Sequence, residues 1–373
     1  MIHSLNALRV MAEFVVVRGH LALFVEPPED VAKATFAVIT SHDLMSFFFV
    51  LSGYVSMHNA CSHDPWNDLG AYYRRKLARY YPLYVVALTL TLTMGGQFTL
   101  PHESCSFRWL CLIGDYLLLS PWCLCSALDG AGVTWYLQTL FWLWFAFPFL
   151  CRFRSTWQML GLTYLVSLLG WLAPAVLWVG DLALGDTWHS LHRIPLLRLA
   201  EFSMGCQIYT LERPSPRTVV AMVAAYASML AAGAWASQGY TLCTSRPLSS
   251  RCWPWDPPPA EGLEYSCEHW WDMVQSRASL PFAVLIRYVA ELEGTWLDHQ
   301  IFKDVNRFSL HVYLLHDCIG RLFWILCGGP GTFALDSVIL VAYLGSYAAY
   351  SLQARWQRKP PIEVAEEMTG LIA

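Results

Sequence analysis

Charged side chains are scarce, making up 14% of the 373 residues, against about a quarter in soluble globular proteins. Hydrophobic residues reach 56%, aromatics 15%, and the mean hydropathy is +0.38. The length could hold two soluble domains, but the repeated apolar stretches point instead to one all-α, polytopic membrane domain over residues 1–373. Basic residues are not in excess either. With 24 Lys+Arg against 28 Asp+Glu, the net charge of −4 leaves no electrostatic footprint for nucleic acid.

Several chemical signatures are also missing. No glycine loop of the phosphate-cradling kind occurs. Cys123-x-Cys125 lacks the two-residue spacer of zinc and redox pairs, and His42, Asp43, His58, Cys61 and His63 do not fall at zinc spacing, so no metal site is expected. His189 and His192 are three apart and read as decorating an outer loop. The chain contains no Asn-x-Ser/Thr acceptor, internal repeat, coiled-coil heptad or low-complexity tract. The first apolar stretch carries charges and no small-residue cleavage site, which reads as a retained helix rather than a removed signal.

What is present is a series of apolar runs. The expected spans are Ala7 to Val25, Ile39 to Met57, Arg79 to Gly95, Val133 to Cys151, Leu160 to Val179, Ile194 to Leu211, Thr218 to Ser237, Ala278 to Leu292, Phe308 to Cys327 and Phe333 to Leu352. Trp109 to Trp122 is short and carries Asp115, and reads as re-entrant or interfacial. Ten transmembrane helices with a cytoplasmic start put Arg74, Arg75, Lys76 and Arg79, Arg152 and Arg154, Arg213 and Arg217 on the inner side. The short 353–373 tail, with Arg355, Arg358 and Lys359, falls there too. The same arrangement sends Cys105, Cys111, Cys123 and Cys125, with Cys243, Cys252 and Cys267, to an oxidising outer side. The longest outer loop, Gln238 to Gln275, is a lid, a substrate vestibule or a disulfide-tied connection.

Arg9 and His20 lie in the first span with ten residues between them. At about 100° per residue, eleven steps bring them to within about 20° on one helical face, roughly 16 Å apart along the axis. An ionisable residue in an apolar span costs about 3 kcal/mol or more unless it faces protein or water, so two on one face mark a candidate site. A structural reading is also open, because Glu13 lies one turn beyond Arg9 and could neutralise it as a buried ion pair. Arg18 lies about opposite His20 and reads as a packing or interfacial residue. A neutral imidazole in a dry cavity can take a proton from a hydroxyl attacking a thioester, and His20 is the candidate for that role.

Four stretches together resemble the acyltransferase 3 family of integral membrane O-acyltransferases, of the oligosaccharide O-acetyltransferase type. Leu5-Asn6-Ala7-Leu8-Arg9 running to His20 is similar to the family's Arg-then-ten-residues-then-His signature. Phe47 to Tyr54 with its Leu51-Ser52-Gly53, Tyr72 to Pro82 with its basic run, and Phe308 to His316 with its Ser-x-x-x-Tyr-Leu-x-His pattern follow in the family's order. One departure stands in the fifth helix, where Leu140 occupies a place at which many bacterial members carry Glu.

The resemblance implies transfer from acyl-CoA, with acetyl-CoA the expected donor, to a hydroxyl of a glycan, lipid or small molecule, with no permanently bound cofactor. It implies His20 and Arg9 as catalytic residues, and Arg74, Arg75 and Arg79 as donor-binding residues whose guanidinium forks suit phosphate oxygens. Glu13, Ser52, Tyr313 and His316 are expected to support the site. Positive-inside topology also accounts for the basic run, and close helix packing for Ser52-Gly53. Two rivals remain: a multi-pass transporter, in which Arg9 and His20 handle a solute or protons, and a silent acyltransferase-like scaffold. The expected setting is the lipid bilayer, either a bacterial inner membrane or a eukaryotic secretory-pathway or plasma membrane.

Overall fold

The structure is a computed structural model that describes residues 4–25, 31–94, 108–122, 133–152, 161, 164–165, 193–228, 279–292, 294–327 and 334–357. All regular structure among the described residues is helical. The principal helices are α1 (Ser4–Val25), α2 (Val31–Ser62), α3 (Leu69–Met94), α4 (Arg108–Tyr116), α5 (Thr134–Leu150), α6 (Pro195–Ile208), α7 (Ser279–Val289), α8 (Gln300–Cys327) and α9 (Leu335–Gln357). A single turn, Trp296–Asp298, precedes α8, and residues 216–228 are also helical. The expected span Leu160 to Val179, the outer part of Thr218 to Ser237, the Gln238 to Gln275 loop, His189, His192 and most of the 353–373 tail lie outside the described residues. So do Cys105, Cys123, Cys125, Cys243, Cys252 and Cys267.

Leu44–Ser62 and Leu335–Arg355 are long and apolar enough to cross a membrane, with mean hydropathies of 1.2 and 1.3. The other helices bury polar side chains that turn inward, among them Glu13, Gln138, Glu201 and His316, each at most 2% exposed. Large apolar side chains such as Phe14, Val86, Phe149 and Leu344 are instead exposed. That inversion is what a helical bundle immersed in lipid requires. The Trp109 to Trp122 stretch forms the nine-residue α4 followed by a turn in which Leu118 takes a positive φ of 61°. Nine residues rise about 13.5 Å, less than half of an apolar bilayer core of about 30 Å.

Helix directions follow from which residues meet. Asn6, Glu13 and His20 on α1 meet Asn306, Ser309 and His316 on α8, in increasing order, so these two helices run parallel. Ser46 with Glu201 and Tyr54 with Tyr209 make α2 and α6 parallel as well. Tyr72 with Phe147, Tyr80 with Trp144 and Tyr84 with Gln138 make α3 and α5 antiparallel.

Two local devices hold α3 and α5 in place. Asp68 caps α3 by accepting the Ala71 amide at 2.7 Å. Pro148 inside α5 has no amide to give the carbonyl one turn earlier, which in lipid must be satisfied from within the chain. Tyr72 supplies the missing donor to Trp144 at 3.3 Å, and the neighbouring Tyr73 hydroxyl reaches the Phe145 carbonyl at 3.0 Å. The Trp66 indole donates to the Pro148 carbonyl, and the Arg152 guanidinium lies 4.3 Å over the Trp66 ring.

The backbones of α2 and α6 approach closely. A Cβ on Gly53 would lie 2.0 Å from the Phe202 carbonyl oxygen, and one on Gly205 would lie 1.9 Å from that of Val50. Only glycine fits at either position, which is the small-residue route to tight helix pairing in membranes. Gly53→Ala and Gly205→Ala are each expected to destabilise the protein by about 1–3 kcal/mol through overpacking. Thermal unfolding in detergent, followed by size exclusion, measures this. The double variant should cost less than the sum of the two, because the helix separation that one methyl forces also makes room for the other; full additivity would argue against a shared crossing.

Candidate active site

The polar face of α1 is assembled by a recurrence of seven. Asn6, Glu13 and His20 repeat at that interval, each step falling about 20° short of two full turns. Arg9 lies at one edge of the same arc, about 60° wide in all. Across the seam, Asn306 Nδ2 donates to Asn6 Oδ1 at 3.0 Å and Ser309 Oγ donates to Glu13 Oε2. His20 Nδ1 meets His316 Nε2 at 2.9 Å, with the rings nearly parallel at 9°.

The hydrogen bonds assign the protons on the two neutral imidazoles. His316 Nδ1 lies 3.1 Å from the Val312 carbonyl, which can only accept, so Nδ1 carries the hydrogen and Nε2 is an acceptor. His20 Nδ1 must then donate to His316 Nε2. The basic nitrogen of His20 is therefore Nε2. A proton arriving there creates an imidazolium whose Nδ1–H already has an oriented acceptor, the arrangement in which a third group fixes a general base. His316 is fully buried and His20 only partly so.

Around this pair the other expected residues gather. Tyr313 lies one turn before His316 on α8, its ring 6.1 Å away, and its hydroxyl donates to the Val133 carbonyl at 2.9 Å. The Tyr136 ring of α5 packs 5.4 Å from Tyr313, and its hydroxyl meets Ser52 Oγ of α2 at 3.3 Å. Ser52 therefore faces the site, while the adjacent Gly53 serves the α2–α6 crossing. Arg9 interacts electrostatically with Glu13, Tyr80 and Tyr136. It forms no ion pair within 4 Å among the described residues. The Arg9–Glu13 ion pair is thus absent, because Glu13 is turned to Ser309. Arg18 is exposed.

Arg74, Arg75 and Arg79 stay apart from this cluster, exposed on the early turns of α3. Lys76 turns inward instead, its ammonium 4.4 Å over the Trp144 ring. One side chain connects the basic turns to the site: Arg79 lies 5.4 Å over the Tyr80 ring, and Tyr80 in turn senses Arg9. Leu140 is buried in the main apolar core.

Three polar features escape the sequence reading. Asn6 and Asn306 form the first rung of the α1–α8 seam. Glu201 on α6 accepts from Ser46 at 2.9 Å and from Arg198 at 2.8 Å, and Arg198 sits 5.6 Å from the Phe49 ring that backs Tyr136 at 4.8 Å. Gln138 ties Tyr84 and Ser120 together, both at 2.6 Å, beside the buried Asp115, which seats the turn after α4 against α5. The interval of seven was a visible signal for the first; the other two depend on chain-distant partners. Among the described residues no three His, Cys, Asp or Glu side chains converge as a metal site would.

The family model described as an acyltransferase domain, Acyl_transf_3, matches residues 2–351. No curated protein and no solved structure matches the chain. The match runs nearly end to end, and the fold brings the conspicuous residues of α1, α2 and α8 around His20. The chain belongs to the acyltransferase 3 family and is a membrane acyltransferase acting on groups other than aminoacyl groups.

Proposed function

We propose that this enzyme moves an acyl group, acetyl being the expected one, from acyl-CoA on the cytoplasmic side to a hydroxyl of a glycan, lipid or small molecule. The observation that carries this reading is the Val312–His316–His20 relay, which leaves Nε2 of His20 as the base. In the step it serves, the acceptor oxygen attacks the thioester carbonyl carbon while its proton passes to Nε2. The C–O bond forms, the C–S bond breaks, and the proton returns from His20 to the departing thiolate. His316 is a positioning residue in this account, and Tyr313, Tyr136 and Ser52 form the packed shell beside it.

Arg9, not neutralised by Glu13, meets the inner part of the donor. Arg74, Arg75 and Arg79 hold its phosphates by charge-assisted hydrogen bonds. Tyr80 interacts with both sets, its ring 5.4 Å from the Arg79 guanidinium and its hydroxyl in the field of Arg9.

The reading also takes the ten-span arrangement, in a bacterial inner membrane or a eukaryotic secretory-pathway or plasma membrane. Parallel α1 and α8 need an odd number of crossings between them. The seven expected spans from Ile39 to Leu292 supply that number only when Trp109 to Trp122 does not cross.

Isotope-labelled acetyl-CoA incubated with purified protein and a membrane extract should yield an acetyl mass increment on one acceptor class. Loss of that product is the assay for the site. His20→Ala should lower transfer by roughly 10²-fold or more, the usual weight of a general base, with donor affinity nearly intact. Arg9→Ala should weaken donor binding as well. A correctly inserted His20→Ala protein with full transfer would show that histidine to be structural.

Replacing Arg74 and Arg75 by Gln should weaken coenzyme A binding by about 1.5–3 kcal/mol apiece at low ionic strength, and by less at high salt. Unchanged coenzyme A binding with disturbed orientation would assign these arginines to topology alone. Impermeant thiol labelling of intact cells, after reduction, should reach Cys252 and Cys267 and spare Cys61; labelling of Cys61 from outside excludes the ten-span arrangement.

A further inference from the structure

Ten buried side-chain polar atoms lack a hydrogen-bond partner among the described residues, and half of them line one seam. These are Glu13 Oε1 on α1, Asn306 Oδ1 and His311 Nδ1 on α8, and the Tyr343 hydroxyl and Ser346 Oγ on α9. Glu13 is 1% exposed and Ser346 0%. Tyr343 interacts electrostatically with Glu13. It begins a stripe on α9 that continues through Ser346 and Tyr350 to Gln353, which bonds His311 at 2.7 Å. This stripe follows the i, i+3, i+7, i+10 spacing of one helix face.

These orphaned atoms all lie on one side of an apolar layer. Towards the N-terminal ends of α1 and α8 lie Asn6, Asn306 and Gln353. One turn further along α1 and α8, between the Glu13–Ser309 and His20–His316 rungs, the same three helices close in an apolar layer of Val17, Val312 and Ala342, all 0% exposed. Orphaned polar atoms deep in a bilayer are costly unless water reaches them, and a bare apolar layer stops water.

We propose that water enters this seam from the inner face as far as Glu13, making Glu13 a site that exchanges protons with the cytoplasm while the apolar layer seals it from the outer side. The proposal rests on the reading of α1 as starting inside and of Arg9 as a donor contact. Its consequence is regulatory. Glu13 as a carboxylate offsets the positive charge of Arg9 one turn away, and as a carboxylic acid leaves that charge to the anionic donor. Binding of the donor and binding of a proton at Glu13 are therefore linked, each favouring the other. Glu13 is faced by Arg9 on its own helix, the Ser309 hydroxyl on α8 and Tyr343 on α9.

Two measurements test this. In inside-out vesicles, Ser346→Cys should be modified by 2-aminoethyl methanethiosulfonate and Ala342→Cys, one turn outward, should not, as read by peptide mass spectrometry. An unmodified Ser346→Cys, or equal modification of both, overturns the one-sided wet seam whatever the enzyme transfers. Calorimetric titration with coenzyme A in buffers of different ionisation enthalpy should show proton uptake by the wild type, none by Glu13→Gln, and uptake again in Glu13→Asp. Equal uptake by wild type and Glu13→Gln overturns the linkage. Failure of the wild type to bind coenzyme A would refute the donor reading and the linkage resting on it, leaving the labelling result to stand by itself. Tyr343→Phe, which keeps the ring and removes one orphaned hydroxyl, should retain the proton uptake; its loss there would place the exchanging group at Tyr343.

Discussion

A bilayer offers no hydrogen-bond partners, so a polar atom carried into it must be met by another part of the chain or by water. The α1–α8 seam is where that constraint shapes this protein most. Asn6, Glu13 and His20 are each answered from α8 by Asn306, Ser309 and His316. Those three rungs fix the two helices parallel and in register, and the register sets the tautomer of His20. The first and ninth expected spans are thereby brought together from opposite ends of the sequence, with the remaining helices packed around them.

The same constraint gives some familiar-looking residues unexpected duties. Tyr72 and Tyr73 precede the arginines of the basic run and look like part of an anion-binding loop. Their hydroxyls go instead to the carbonyls of Trp144 and Phe145, near the backbone that Pro148 leaves short of a donor. The tyrosines dock α3 on α5, and only then do Arg74, Arg75 and Arg79 project from a fixed platform. Gly53 next to Ser52 shows a similar division, one residue spent on the α2–α6 crossing and the next on Tyr136.

Much of the fold was legible because helical periodicity and apolar length are local properties. Arg9 and His20 are visible on one face of α1 from spacing alone, and Trp109 to Trp122 is visibly too short and too polar at Asp115 to be an ordinary span. Pairings between helices far apart in sequence are a different matter. Nothing in the spacing of α1 says that Glu13 turns to Ser309 rather than to Arg9, since either partner satisfies the helical geometry. The Ser46–Glu201–Arg198 cluster is hidden for the same reason, Ser46 lying 155 residues before Glu201.

That undetermined choice at Glu13 is the step on which the chemistry turns. An Arg9–Glu13 pair would make the inner half of α1 electrically neutral and leave the helix a structural strut. The Ser309 hydroxyl removes one carboxylate oxygen from that competition, so Arg9 keeps a charge that the described residues do not cancel within ion-pair distance. An unpaired cation in a lipid-buried bundle is costly, and a polyanionic ligand that reaches it lowers that cost only while bound. His20 lies about 16 Å further along the same face, where the relay through His316 has prepared a basic nitrogen. One side of one helix thus presents a cation and a basic nitrogen at two depths, and in the proposed reaction a long thioester spanning both would have its reactive carbonyl at the deeper one.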